Sequence, residues 1–178
     1  MSHEGVVART ILFDNEVKRL LEKYPDAVCV NIGCGFDDRF SRVDNGKVRW
    51  YNVDLPDSIE LRKKVFEERD REFMTAGDLT GTDWTEGIPN EGVTIIIAEG
   101  LLMYFSEEQV SGLLDHICEY FGKGYILAEI MHPFAVKNSS HHDTVKNTKA
   151  AFGWGIESGK EAESPVQRPQ FCEGDKLL

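Results

Sequence analysis

Two glycines and an aspartate carry the first chemical signal in this chain. Gly33 and Gly35 close the stretch AVCVNIGCG, in which Val28, Cys29, Val30 and Ile32 form a nearly unbroken apolar run. Such a run suits a strand buried on both faces. Glycines at its end let the backbone turn sharply and offer its amides to a ligand. Asp54 closes a second apolar stretch, Arg49 to Val53, nineteen residues beyond Gly35. A nucleotide-binding βαβ unit places at that interval the carboxylate that accepts hydrogen bonds from ribose hydroxyls. The spacing predicts an adenosine site at the C-terminal edge of a parallel sheet, with a cap before Pro56 as the structural alternative for Asp54.

The glycine loop also discriminates between adenosine ligands. A dinucleotide site asks for G-x-G-x-x-G, with the pyrophosphate on the helix N-terminus. Here the run is GCGFDD, so Asp38 replaces the third glycine and Asp37 precedes it. Two carboxylates beside a pyrophosphate repel it. A ligand with no phosphate and a cationic centre meets no such objection, which favours S-adenosylmethionine over NAD. Arg39 is expected to pair with Asp37, Asp38 or another nearby acid and to fix the loop.

Other chemistry-bearing residues are sparser. Glu99 follows the all-apolar stretch VTIIIA, residues 93–98, and a carboxylate at such a strand end faces the ligand crevice. An acid at the start of the next helix is its bland reading. His132 follows the fifth predicted strand and could serve as base toward a hydroxyl. The adjacent His141 and His142 lack the i, i+4 spacing that puts two rings on one ion, so with Asp143 they read as a solvated loop and no metal site is expected. Cysteines 29, 34, 118 and 172 show no C-x-x-C spacing. Buried free thiols and a reducing cytoplasm follow.

The elements that must position these residues alternate. Residues 5–24 read as an amphipathic helix through Val7, Ile11, Leu12, Val17, Leu20, Leu21 and Tyr24, stopped by Pro25 and Asp26. A short crossover spans Phe36 to Arg42, and Asp44-Asn45-Gly46 turns the chain into the second strand. Asp57 with Glu60 suggests a capping box for a helix to about Asp70. Glu72 to Ala76 is a short strand, and the strongest strand, Val93 to Ala98, follows a turn-rich segment. Ser106 and Gln109 cap a helix whose stripe is Val110, Leu113, Leu114, Ile117 and Phe121, ended by Gly122 and Gly124. The fifth strand is Tyr125 to Ile130. Farther on, Asn147 to Phe152 reads as helix and Val166 to Cys172 as an edge strand. Alternation of this kind predicts an α/β fold with a doubly wound, parallel sheet.

Composition sets the outer bounds. A chain of 178 residues suits one domain with a real core. A formal net charge of −11 argues against nucleic-acid or membrane-surface partners, which call for positive charge. No apolar run reaches the roughly 18 residues of a membrane span.

The segments VARTILFD (7–14), VNIGCGFDDRF (30–40), RWYNVDLP (49–56), AGDL (76–79) and IIAEGLLMYF (96–105) together resemble the leucine carboxyl methyltransferase family, in particular its bacterial branch related to polyketide O-methyltransferases. That resemblance implies a class I, Rossmann-like methyltransferase fold and S-adenosylmethionine as methyl donor. It implies that Arg9 pairs with the cofactor's methionine carboxylate and that Gly33, Cys34 and Gly35 cradle the cofactor. It places Asp54 and Leu55 at the ribose, Asp78 and Leu79 beside adenine, and Glu99 and Tyr104 facing cofactor and acceptor. Family members carry a longer N-terminal segment and finish the sheet with a hairpin; a chain shortened at both ends is one expectation. A non-catalytic cofactor-binding protein is the alternative to an enzyme. Methyl transfer from a sulfonium is an in-line displacement that depends on positioning, so no triad is required. An ionised carboxylate acceptor needs no base, whereas a phenol of pKa about 10 does. The acceptor expected is a carboxylate or hydroxyl oxygen of a small molecule, a polyketide or a protein C-terminus, a carboxylate ahead of a phenol.

Overall fold

The computed structural model describes residues 3–131 and 154–155. Its elements run α1 (His3–Lys23), β1 (Val28–Ile32), α2 (Arg39–Val43), β2 (Arg49–Asp54), α3 (Pro56–Arg62), β3 (Glu72–Ala76), β4 (Thr94–Ala98), α4 (Glu107–Phe121) and β5 (Gly124–Ala128). All four pairings are parallel, in the order β3-β2-β1-β4-β5. The chain first winds outward from β1 to β3, then returns to place β4 on the other side of β1. Both β1 and β4 are buried along their whole length, which is why their sequences read as continuous apolar runs.

Alternate residues of these strands feed two cores. Cys29, Trp50, Ile95 and Ile97 pack with Phe13, Val17, Leu20 and Leu21 of α1 and Phe40 and Val43 of α2. Val28, Val30, Ile96 and Ala98 pack with Val110, Leu113, Ile117 and Phe121 of α4 and with Trp84. Helices on both faces make the sheet doubly wound, as the alternation predicts. Ser106 and Gln109 form the expected reciprocal box at the start of α4. Among the described residues no helix is long and apolar enough to cross a membrane.

Several boundaries differ from the sequence reading. The helix expected to reach Asp70 stops at Arg62, and no side chain caps it. Leu55 is held extended before Pro56, which itself opens the helix at its first position, so Asp57 lies inside the first turn and cannot form the box with Glu60. The chain then leaves the helix to bring Phe66 over the Arg62 guanidinium, 4.5 Å from ring centroid to carbon. Gly124 begins β5 instead of ending α4; Gly122, at φ +65°, is the stop. In α1 the buried stripe starts at Phe13, and Val7, Ile11 and Leu12, expected in the core, are 53%, 53% and 47% exposed. The predicted helix at 147–152 and edge strand at 166–172 lie outside the described residues.

Candidate functional site

In a sheet of this order, β1 and β4 are neighbours whose connections leave in opposite directions, and in open parallel sheets ligands bind in the crevice beyond the C-terminal ends of such a pair. Gly33 turns the chain out of β1 at φ +63°, and a Cβ there would lie 2.6 Å from Leu101 Cδ1. The glycine loop and the segment after β4 therefore touch. Gly35 has φ +47° and nothing within 4 Å of the place its Cβ would occupy. Its N–H donates to Asp54 Oδ2 at 2.8 Å, while Asp54 Oδ1 accepts the Leu55 N–H at 2.8 Å. Each oxygen of an ionised carboxylate has two lone pairs, so capacity remains for a pair of hydroxyls. Phe36 and Leu55, 58% and 52% exposed, flank this arrangement with apolar surface.

The loop is pinned from beneath by buried polar groups. Arg62, fully buried, donates from Nη1 to the Gly35 carbonyl at 2.9 Å and lies 3.6 Å from Glu72 Oε1. Asn52 donates to the same Glu72 oxygen at 3.0 Å, and Asn31 donates to Asp37 Oδ2 at 3.0 Å. Asn31, Asn52 and Glu72 are paired in this way, whereas Arg62 Nε and Nη2 make no hydrogen bond among the described residues. Cys34 is buried against Ile59 and Met74, and burial pushes its thiol up to about 12. A protonated thiol is a poor nucleophile.

Arginines and carboxylates tie α1 to the sheet edge. Arg39, 1% exposed, donates from Nε to Asp14 at 2.7 Å, from Nη1 to Asp37 at 2.8 Å and from Nη2 to Glu99. Arg42 joins Asp14, Asp37 and Asp38. Arg9 donates from Nε to Glu99 Oε1 at 2.6 Å and from Nη1 to both oxygens of Glu129 at 2.9 and 2.8 Å. Burial works against the charged Arg9, but Glu129 and then Glu99 outweigh it and hold its pKa above the ordinary value. Burial likewise opposes ionisation of Asp14, and hydrogen bonds from Arg42 and Arg39 outweigh it, so this carboxyl titrates below its usual range.

Arg39 and Arg42 are shared among Asp14, Asp37, Asp38 and Glu99, so they offset the charge of Asp37 and Asp38 only in part. Occupancy adds a second obstacle to a pyrophosphate. Asp37 Oδ1 already accepts the N–H of Arg39, the first residue of α2, at 3.1 Å. Arg39 does pair with Asp37, as expected, and its third partner is Glu99.

The leucine carboxyl methyltransferase profile matches residues 2–118. The chain belongs to the leucine carboxyl methyltransferase family. It is 32% identical over 174 residues to the tetracenomycin polyketide synthesis O-methyltransferase of Streptomyces glaucescens, covering 97% of this chain and 64% of that protein. It is 24% identical over 183 residues to an S-adenosyl-L-methionine-dependent methyltransferase of Gibberella zeae, covering 94% of this chain and 61% of the other. This family member thus spans less than two thirds of the length of both relatives. Among solved structures, the apo S-adenosylmethionine-dependent methyltransferase SibL aligns with TM-score 0.59 at 15% identity, over 90% of this chain and 48% of that one. An O-methyltransferase from neocarzinostatin biosynthesis aligns with TM-score 0.55 at 15% identity, over 89% and 52%. The fold is the class I methyltransferase fold.

Arg9, Gly33, Cys34, Gly35, Asp54, Leu55, Asp78, Leu79, Glu99 and Tyr104 fall within the matched family span. Arg9 and Glu99 are joined to each other, and Gly33, Cys34, Gly35, Asp54 and Leu55 form the loop and the strand end beside it. Asp78 caps its own turn, taking the Thr80 N–H and then the Thr80 hydroxyl on Oδ1, which lowers its pKa. Leu79 is buried in the core on the α4 side. Tyr104 is 42% exposed, at the end of the 3-10 turn Leu102–Tyr104. His132, His141, His142 and Asp143 lie outside the described residues. Sequence reasoning missed Asp14, Asn31, Arg62 and Glu129. Of these, Glu129 had a signal: ILAE ends β5 as IIAE ends β4, and Ala98 and Ala128 pair directly.

Proposed function

We propose that this chain binds S-adenosylmethionine in the crevice beyond β1 and β4 and transfers its methyl group to an oxygen of a small molecule. The carrying observation is the Asp54 carboxylate, locked to the Gly35 amide yet keeping acceptor capacity for two ribose hydroxyls. Gly33, Cys34 and Gly35 line the cofactor, Leu55 and Phe36 cover its apolar face, and Asp78 and Leu79 border adenine. Arg9 takes the methionine carboxylate, for which a guanidinium is geometrically suited. The cofactor supplies a methyl carbon already activated by its sulfonium; the protein holds the acceptor oxygen in line with it.

The acceptor class follows from the same edge. Glu99 is committed to two guanidiniums, those of Arg9 and Arg39, and Tyr104 is 42% exposed. An ionised carboxylate needs no base, so a carboxylate-bearing small molecule, such as a polyketide acid, is the preferred acceptor. The family name and the polyketide O-methyltransferase relative support an oxygen acceptor of this kind. A phenolic acceptor would instead call on His132 as base.

The test is methyl transfer to matched carboxylate and phenol panels between about pH 6 and 8. Carboxylate methylation should be nearly flat with pH, whereas phenol methylation should rise with phenolate or with a base. Turnover of phenols alone, lost in His132→Ala, would reverse the acceptor preference. Bound cofactor with no turnover of either panel would sink the transferase assignment and leave a binding protein.

A further inference from the structure

We infer that Glu129 is a positioning residue for the amino-acid end of the cofactor, acting through Arg9 and the turn after β4; this rests on the S-adenosylmethionine reading above. Glu129 is the first residue beyond β5 and lies outside the family-matched residues 2–118. Its backbone continues the ladder, donating to the Ala98 carbonyl at 2.9 Å, so its Cα is fixed by the sheet. Its carboxylate then does two things. Both oxygens accept from Arg9 Nη1, at 2.9 and 2.8 Å, and Oε2 also accepts the Gly100 N–H at 2.8 Å.

Among the described residues, the front of α1 buries little apolar surface. Val6, Val7, Ile11 and Leu12 are 39–53% exposed, and the first buried apolar side chain of the helix is Phe13. The ion pairs at Arg9 therefore replace apolar packing in locating these turns over the crevice. Glu99 grips the guanidinium at Nε; Glu129 grips it at Nη1. Two anchors on different nitrogens fix the orientation of the guanidinium plane, and with it the way Arg9 presents its charge to a ligand carboxylate. The Gly100 contact extends the same control to the neighbouring turn. Gly100 sits at φ +66°, and the next residue, Leu101, packs against Gly33 of the glycine loop. One carboxylate thus sets both the arginine that reads the methionine end and the segment roofing the loop.

The test compares two ligands that differ only at that end. S-adenosylhomocysteine carries the amino-acid group, and 5′-methylthioadenosine keeps adenosine and sulfur without it. Calorimetric titration into wild type, Glu129→Gln and Glu129→Asp should show S-adenosylhomocysteine weakened roughly tenfold by the glutamine. Methylthioadenosine affinity should stay within about twofold, and the aspartate variant should recover part of the loss. Most of the Glu129→Gln effect should vanish once Arg9 is removed: the double variant should bind S-adenosylhomocysteine more weakly than Arg9→Gln alone by clearly less than tenfold. Equal losses for both ligands would reduce Glu129 to scaffold, and unchanged or tighter S-adenosylhomocysteine binding would also overturn the inference. If wild type binds neither ligand, the cofactor reading itself falls and takes the inference with it.

Discussion

The Asp54 carboxylate receives the Gly35 N–H on one oxygen and the Leu55 N–H on the other, so it braces the site while still able to accept from a ligand. Asp54→Ala should weaken S-adenosylhomocysteine by about 1.5–3 kcal/mol, the range for hydrogen bonds to a charged group. The fold should survive, because Trp50 and Val53 keep β2 buried. Unchanged affinity by calorimetry would return Asp54 to bracing alone. The two glycines beside it separate in a different way. Alanine at either position meets the left-handed backbone penalty of about 1–2 kcal/mol. Gly33→Ala adds a 2.6 Å contact with Leu101, whereas Gly35→Ala points into open space. Denaturant unfolding should therefore show Gly33→Ala as the more destabilised protein, with Gly35→Ala losing cofactor affinity at smaller structural cost. Equal unfolding midpoints would mean that Leu101 yields freely. These residues were legible in sequence because their chemistry is local: glycines at a strand end, and an acid at a fixed interval. Arg62 and Asn31 were not, since a buried arginine under a carbonyl is defined by a tertiary neighbour no spacing announces.

At the scale of elements, α1 is joined to the sheet edge by charge at its front and by apolar packing behind. Asp14 sits at the changeover, 7% exposed and held by Arg39 and Arg42. Its folded pKa lies below the unfolded one, so its stabilising contribution is complete above about pH 4 and is lost as pH falls through the depressed folded value. Asp14→Asn should cost about 1.5–3 kcal/mol at pH 7. It should also flatten the loss of stability below pH 4, as urea midpoints at pH 6 and pH 3 would reveal. Parallel slopes for wild type and variant would assign the acid sensitivity to other carboxylates, Asp44 with its Arg71 partner among them. Element types were readable throughout, because β1, β4 and α4 each carry one strong period. The errors fell where tertiary contacts override local pattern. Val7, Ile11 and Leu12 continue the apolar stripe of α1 beyond its buried part, and α3 ends at Arg62, whose guanidinium Phe66 covers.

At the scale of the whole molecule, the proposed cofactor would touch the loop after β1, the end of β2, the turn after β4 and the front of α1. A ligand spanning those segments binds only the folded chain, so its affinity becomes stability. At 100 times the dissociation constant, S-adenosylhomocysteine should add about 2.7 kcal/mol. For a chain of this size each kcal/mol moves Tm by roughly 2–4 °C, which makes the expected rise roughly 5–11 °C. NAD should give no shift, for reasons both electrostatic and geometric. Arg39 and Arg42 are shared with Asp14 and Glu99, so they offset Asp37 and Asp38 only in part. The five-residue α2 has little dipole to offer, and the Asp37 carboxylate already holds the amide at its start. A pyrophosphate would have to displace a side chain that two arginines and Asn31 hold in place. A thermal shift with NAD and none with S-adenosylhomocysteine would overturn the cofactor assignment. A shift with both would show that Asp37 gives way, and Asp37→Ala should then strengthen NAD binding.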